Sequence, residues 1–225
     1  MKSKLILNRI LQSIVLQYVV CIAATLSLLH LVTGIFHINF RRPIEYAGDA
    51  SLGFIFKGMM DGEWLPYFGI HSDRLAAPFG FNMYDFPVSD NLLLLILKVL
   101  SFFSKDYMVV MNWYFILTFV LASAAFVYAA RYYKASYSTA LVFGLLFTFL
   151  PYHFLRGIQH LFLVSYFLVP LLGLILVWIW SAKPIFFKRT GDGHRLDLNN
   201  YKSIFALIVL FLAGGGGVYY AFFFA

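Results

Sequence analysis

Three short stretches of this chain hold residues that can do chemistry. In "RRPIEYAGDA", Asp49 sits between glycine and alanine, so little bulk surrounds its carboxylate. Glu45 stands four residues earlier and shares a face with it if the segment is helical. A carboxylate held just outside a bilayer can act as a general base toward a hydroxyl. It can also bind a divalent cation, magnesium or manganese, that grips phosphate. On local sequence alone the plainer reading is an acidic helix cap balanced by Arg41 and Arg42.

The second stretch is "FLPYHFLRGIQHLF", where His153, Arg156 and His160 lie at helix-like intervals inside strongly apolar sequence. Ionisable residues at membrane depth are costly and usually face a cavity or a partner. Arg and His are good donors to a phosphate or pyrophosphate. The competing reading is interface anchoring, in which Arg snorkels and His and Tyr favour the headgroup layer. Zinc is disfavoured, because a spacing of seven puts the two histidines two helical turns apart. The third stretch is "LAGGGGVYYAFFFA". Gly214–Gly217 permit close helix approach or an unwound segment. Tyr219 and Tyr220 are placed to reach a sugar or lipid headgroup, or to join an aromatic belt.

The elements that must position these residues are membrane spans. The chain has 225 residues, 62% of them hydrophobic and only 12% charged, with a mean hydropathy of +0.81. A soluble domain carries about 25% charged residues. The expected fold class is all-α, a polytopic transmembrane helical bundle. The net charge of +7 does not indicate nucleic acid, because the basic residues cluster at the ends of apolar runs. The lone cysteine, Cys21, excludes an internal disulfide framework and a cysteine metal cluster.

Spans of about 20 apolar residues are expected at 10–36, 107–130, 139–160 with a break at Pro151, 160–180 and 203–225. The run "NLLLLILKVLSFF" (91–103) is too short and reads as an interfacial helix. With five spans, ten basic residues and two acidic ones fall on the side of the N-terminus, a net +8, and the other side carries −1. The positive-inside rule then makes the N-terminal side cytoplasmic. The uncleaved first span leads into an extracytoplasmic loop, 37–106, that holds every acidic residue except Asp192 and Asp197. Within it "DASLGFIFKGMMDGEW" has apolar residues at helical spacing and is expected to lie on the membrane as an amphipathic helix. The loop "KRTGDGHRLDLNN" reads as a solvated turn with anchoring charges.

In order, the chain shows a basic N-terminus, one span, a long loop opening with "GDA", an interfacial helix, and "NLLLLILKVLSFF". A span ending in "YAARYYKASYSTALVFGLLFTF" and then "PYHFLRGIQHLFLVSYFLVPLLGL" follow. This order resembles the N-terminal part of GT-C type integral membrane glycosyltransferases, nearest to the bacterial YfhO-like branch. There a Gly-Asp opens the loop and a later His precedes a "PLL" helix. The resemblance implies transfer of a sugar from a polyprenyl-phosphate carrier to an acceptor on the outer face of the bacterial plasma membrane. It makes Asp49 the catalytic carboxylate and His160 part of the phosphate site, with His153 and Arg156 beside it. Glu45 would orient Asp49 or a metal.

Members of that family continue through further spans, so this single membrane domain is expected to be the front portion of one. A further membrane subunit would then be the partner supplying the missing helices. Two alternatives stay open: a non-enzymatic carrier or helper for lipid-linked sugars, and an inactive fragment of such an enzyme.

Overall fold

The computed structural model describes residues 13–44, 51–82, 90–190, 193–216 and 218–223. Within them the chain is mostly helical, with two short antiparallel ribbons. Four helical segments are long and apolar enough to cross a membrane: Ile14–Thr33, Tyr107–Tyr132, Tyr137–Arg156 and Leu161–Trp180.

Helix α1 (Ile14–Thr33) stops where Gly34 turns left-handed, at φ 67°, and returns its N–H to the His30 carbonyl. Its buried residues are Gln17, Cys21, Thr25 and Leu29, one every fourth position. Its outward face is apolar, with Val15 73% and Leu31 79% exposed. A water-exposed helix has the opposite pattern. Small and polar residues inward with apolar residues outward is what lipid surroundings favour.

The second amphipathic piece is α2 (Ser51–Met60), and a pair of two-residue strands, β1 (His71–Ser72) and β2 (Phe81–Asn82), follows it. Next comes α3 (Asn91–Leu100). At ten residues each, about 15 Å, neither α2 nor α3 can cross a hydrocarbon core of about 30 Å. Both helices are shorter than the sequence pattern suggested, ending at Met60 and at Leu100.

Helix α4 (Tyr107–Tyr132) is the central element. Asp106 caps it, accepting from the backbone N–H groups of Met108 (3.0 Å) and Val109 (3.3 Å). Its first half carries Val110, Met111, Tyr114 and Phe115 into one core with Ile55, Phe56 and Met59 of α2 and Leu93, Leu94 and Leu97 of α3. Lys98, the charge inside the α3 run, donates to the Met59 carbonyl at 2.7 Å. That carbonyl lies at the negative end of α2, so the cation ties the two short helices together. Deeper along the bundle, Thr25 Oγ1 lies 2.9 Å from Ser123 Oγ, which joins α1 to α4.

Ser136 caps α5 (Tyr137–Thr148), whose Gly144 admits α4 closely: a Cβ there would lie 3.3 Å from Val127. The chain then breaks into short pieces: α6 (Pro151–Arg156), a 3-10 turn (Ile158–His160), α7 (Leu161–Val164) and a second 3-10 turn (Tyr166–Leu168). Pro151 opens α6 at a position where its missing N–H is harmless. Gly157 turns the chain at φ 49° and ψ −154°, a conformation that favours glycine. Regular helix resumes as α8 (Val169–Trp180).

Where the sequence pattern predicts a solvated turn over 188–200, β3 (Phe187–Thr190) and β4 (Gly193–Leu196) pair as an antiparallel ribbon. The last expected span is divided into α9 (Tyr201–Gly215) and α10 (Val218–Phe223). At 15 residues α9 is shorter than a spanning helix. Glycine has low helix propensity, and the division falls in the glycine run.

Candidate functional site

Consecutive long helices alternate in direction. The start of α4, the end of α5 and the end of α9 therefore gather at the end of the bundle that carries the long loop. The hydroxyl of Tyr114, in the second turn of α4, lies 2.7 Å from Ser165 Oγ, just after α7. This bond fixes the broken 151–168 segment against the loop end.

Within α6, Tyr152 and Arg156 are four residues apart and lie on one face. The Arg156 guanidinium sits 5.6 Å from the Tyr152 ring centre, a cation–π distance. The Tyr152 hydroxyl is 3.4 Å from that of Tyr220, which donates to the Leu163 carbonyl. Arg156 is also within electrostatic range of Tyr220. The His160 ring stands edge-on to Phe162 at 5.8 Å, and Phe162 stacks on Tyr219 at 6.1 Å. The Nδ1 of His160 is buried with no hydrogen-bond partner among the described residues. Arg156, Tyr152 and Tyr220 thus form one chain of contacts and His160, Phe162 and Tyr219 a second, and the two meet at the consecutive Tyr219 and Tyr220 as a cationic and aromatic rim. Stretches 68 and 57 positions apart meet there, through the bonds of the Tyr220 hydroxyl to Tyr152 and to Leu163.

His153 points elsewhere. It is fully buried, with its ring stacked 3.7 Å from that of Phe119. Its Nε2 is 2.9 Å from Thr118 Oγ1, and its Nδ1 is 2.9 Å from the Tyr166 hydroxyl and 3.1 Å from the Thr148 carbonyl. Both nitrogens are engaged, so His153 locks α4, α5 and the 166–168 turn together rather than meeting a phosphate. One position along α6 turns a side chain by about 100°. That turns the buried His153 away from the exposed Tyr152.

Asp49 and Glu45 lie outside the described residues. The segment 45–50 that holds them is flanked by described residues, and both flanks are anchored to the start of α4. Asn112, fully buried in that helix, donates to the carbonyls of Phe40 and Arg42 (2.8 Å each) and accepts from the Ile44 N–H (3.4 Å). On the other side, Gly53 lies against the Tyr107 ring, where a Cβ would be 3.1 Å away. Sequence reasoning missed Asn112. Its only signal is an amide inside an apolar run.

The described acids of the loop are mostly neutralised within it. Asp61 takes Lys57 (2.5 Å) and Arg74 (2.8 Å), and Arg74 also pairs with Glu63, which accepts from the buried Ser72. Hydrogen bonds from Lys57 and Arg74 hold the Asp61 carboxyl below the ordinary range. His71 lies 2.6 Å from Asn82 and 3.0 Å from Asp73, and these contacts raise its pKa.

Asp90 is different. It is 8% exposed, does not cap α3, and has no donor among the described residues. Burial alone pushes its pKa to about 6. The Tyr114 phenol is within electrostatic range of it. In the sequence it is one acid among eight in a long loop, and nothing distinguishes it.

Among the described residues no group of three or more His, Cys, Asp or Glu side chains is placed to hold a metal ion. The chain matches no protein-family model, no curated protein and no solved structure.

Proposed function

We propose that this chain is a GT-C type membrane glycosyltransferase-like protein. It would transfer a sugar from a polyprenyl-phosphate-linked donor to an acceptor on the outer face of a bacterial plasma membrane, with its N-terminus in the cytoplasm. The observation that carries this reading is the rim in which Arg156 lies over Tyr152 beside Tyr220. That rim lies at the same end of α4 that pins both flanks of the Asp49 segment.

Each group then has a role. Arg156 binds the lipid phosphate, with His160 as a second donor, and stabilises the charge that grows on it as the glycosidic bond breaks. Tyr152, Tyr219 and Tyr220 offer ring faces to the sugar or the first prenyl unit. Asp49 takes the proton of the acceptor hydroxyl, whose oxygen bonds to the anomeric carbon. The bond from that carbon to the phosphate oxygen breaks, and polyprenyl phosphate leaves. His153 contributes by fixing α6, and so Arg156, against α4.

The reading is tested by sugar transfer from a synthetic polyprenyl-phosphate sugar to a mixed acceptor pool, with purified protein in vesicles. Transfer by the native chain and its loss in Asp49→Asn, with folding intact, supports it. Equal transfer by Asp49→Asn removes the catalytic role of that carboxylate.

A further inference from the structure

At the far end of the bundle from this rim, the β3–β4 ribbon brings Lys188 and Arg195 directly opposite each other as a cross-strand pair. Like charges facing each other in a ribbon destabilise it. Neither side chain has an acidic partner or an aromatic ring to rest on among the described residues. The other cations near them do: Lys183 lies over Tyr133 at 5.9 Å, and Lys202 lies over Trp178 and Tyr201, each at 5.9 Å. Two adjacent cations with no ion pair among the described residues can take an external anion.

The two residues line an open cleft of about 550 Å³ together with Leu196, Asp197, Leu198 and Asn199. Its base is held rigidly. Asn200 caps α9, accepting from the N–H groups of Lys202 and Ser203 (3.0 Å each), and donates to the carbonyls of Ile185 (3.1 Å) and Asp197 (2.8 Å). Ser203, fully buried, donates to the Asp197 carbonyl (2.7 Å). Asp197 N–H returns to Phe186 at 2.8 Å, just before the first strand. These bonds order the cleft before any ligand arrives, which lowers the entropy lost on binding.

The cleft is not purely basic. Asp197 would repel a bare phosphate dianion but accepts well from hydroxyl groups, and Asn199 can do the same. The ribbon also carries an exposed apolar cross-strand pair, Phe187 (55%) and Leu196 (56%), between the ends of two apolar helices. We propose that Lys188 and Arg195 form a binding site for a hydroxyl-bearing phosphate ester, with the phosphate on the two cations and the hydroxyls on Asp197 and Asn199. The ester is either the glycerol-phosphate headgroup of a membrane lipid or a soluble polyol phosphate. This site does not depend on the glycosyl transfer reading.

The test uses the full chain in nanodiscs of phosphatidylcholine. Phosphatidylglycerol retention is measured by native mass spectrometry, and glycerol 1-phosphate binding by calorimetry. The native chain is expected to bind one of the two probes. The Lys188→Gln/Arg195→Gln variant, folded by circular dichroism, should bind it at least tenfold more weakly. Lys183→Gln should change binding by less than twofold. Retention of phosphatidylglycerol that glycerol 1-phosphate does not displace identifies the lipid as the source. Saturable glycerol 1-phosphate binding identifies the soluble ester. Binding of neither probe, or equal binding by the double variant, overturns the proposal.

Discussion

Asn112 donates to the backbone carbonyl of Arg42 at 2.8 Å, across 70 positions of sequence. Both protons of its amide and its oxygen are used on the 40–44 segment. Asn112→Ala leaves three backbone groups without this partner. Each buried unsatisfied group costs about 1–3 kcal/mol, so a loss of roughly 2–4 kcal/mol is expected, read as a lower thermal unfolding midpoint in detergent. If the clamp positions Asp49, sugar transfer falls further than the folded fraction does. An unchanged midpoint would contradict the clamp.

His153 is expected to act by holding α6 in place and not by touching the phosphate. His153→Ala removes a ring stacked on Phe119 and the hydrogen bonds to Thr118 and Tyr166. Truncation of a large buried ring costs about 3–5 kcal/mol. Since a strongly destabilised variant is hard to purify, His153→Gln provides the second arm. It should be milder in unfolding and should bind polyprenyl phosphate with native affinity. A binding loss of tenfold in folded His153→Gln would return the residue to the phosphate site.

Asp90 links stability to pH with a definite sign. Its folded-state pKa of about 6 lies above its ordinary value of 3.8. The folded protein therefore holds this proton more tightly than the unfolded chain does, and ionising Asp90 opposes folding. The contribution is harmless near pH 4, grows unfavourable as pH rises toward 6, and stays so above it. Two pKa units correspond to on the order of 3 kcal/mol. Asp90→Asn is expected to raise the unfolding midpoint at pH 7.5 and to match the native chain near pH 4. An equal effect at both pH values would show that the burial of its charge is not the cause.

Gly215 should respond against the usual rule. Gly to Ala inside a helix normally stabilises by about 1 kcal/mol. Here a Cβ would collide with the hydroxyl of Tyr67, whose ring stacks on Phe211 and whose N–H donates to Asn91 at 2.8 Å. Gly215→Ala is therefore expected to destabilise, and Tyr67→Phe to recover part of the loss. A double-mutant coupling of about 1 kcal/mol or more is predicted. Additive effects would mean that Tyr67 does not occupy this gap.

The long helices were legible because about 20 apolar residues in a row leave few other solutions. Helices α1 and α4 fall where the hydropathy put them. The break at Pro151 and the turn at Gly157 were legible from backbone chemistry. The direction of His153 was not, since polarity alone cannot separate a histidine that clamps helices from one that faces a ligand. Asn112 and Asp90 escaped for a related reason: their significance lies in what surrounds them, Asn112 fully paired and Asp90 without a donor among the described residues. The β3–β4 ribbon did leave a signal. Gly191 and Asp192 between two short runs are the kind of pair that hairpin loops favour.

The central claim is that Arg156 grips the phosphate of a polyprenyl carrier at the loop end of the bundle. It is tested most directly by equilibrium binding of polyprenyl monophosphate to purified protein in nanodiscs. A charge-assisted hydrogen bond contributes about 1.5–3 kcal/mol, which corresponds to roughly 10- to 150-fold in affinity. The account predicts that Arg156→Gln binds at least tenfold more weakly than the native chain, and that Asp49→Asn binds as the native chain does. Native affinity in a folded Arg156→Gln variant would contradict it.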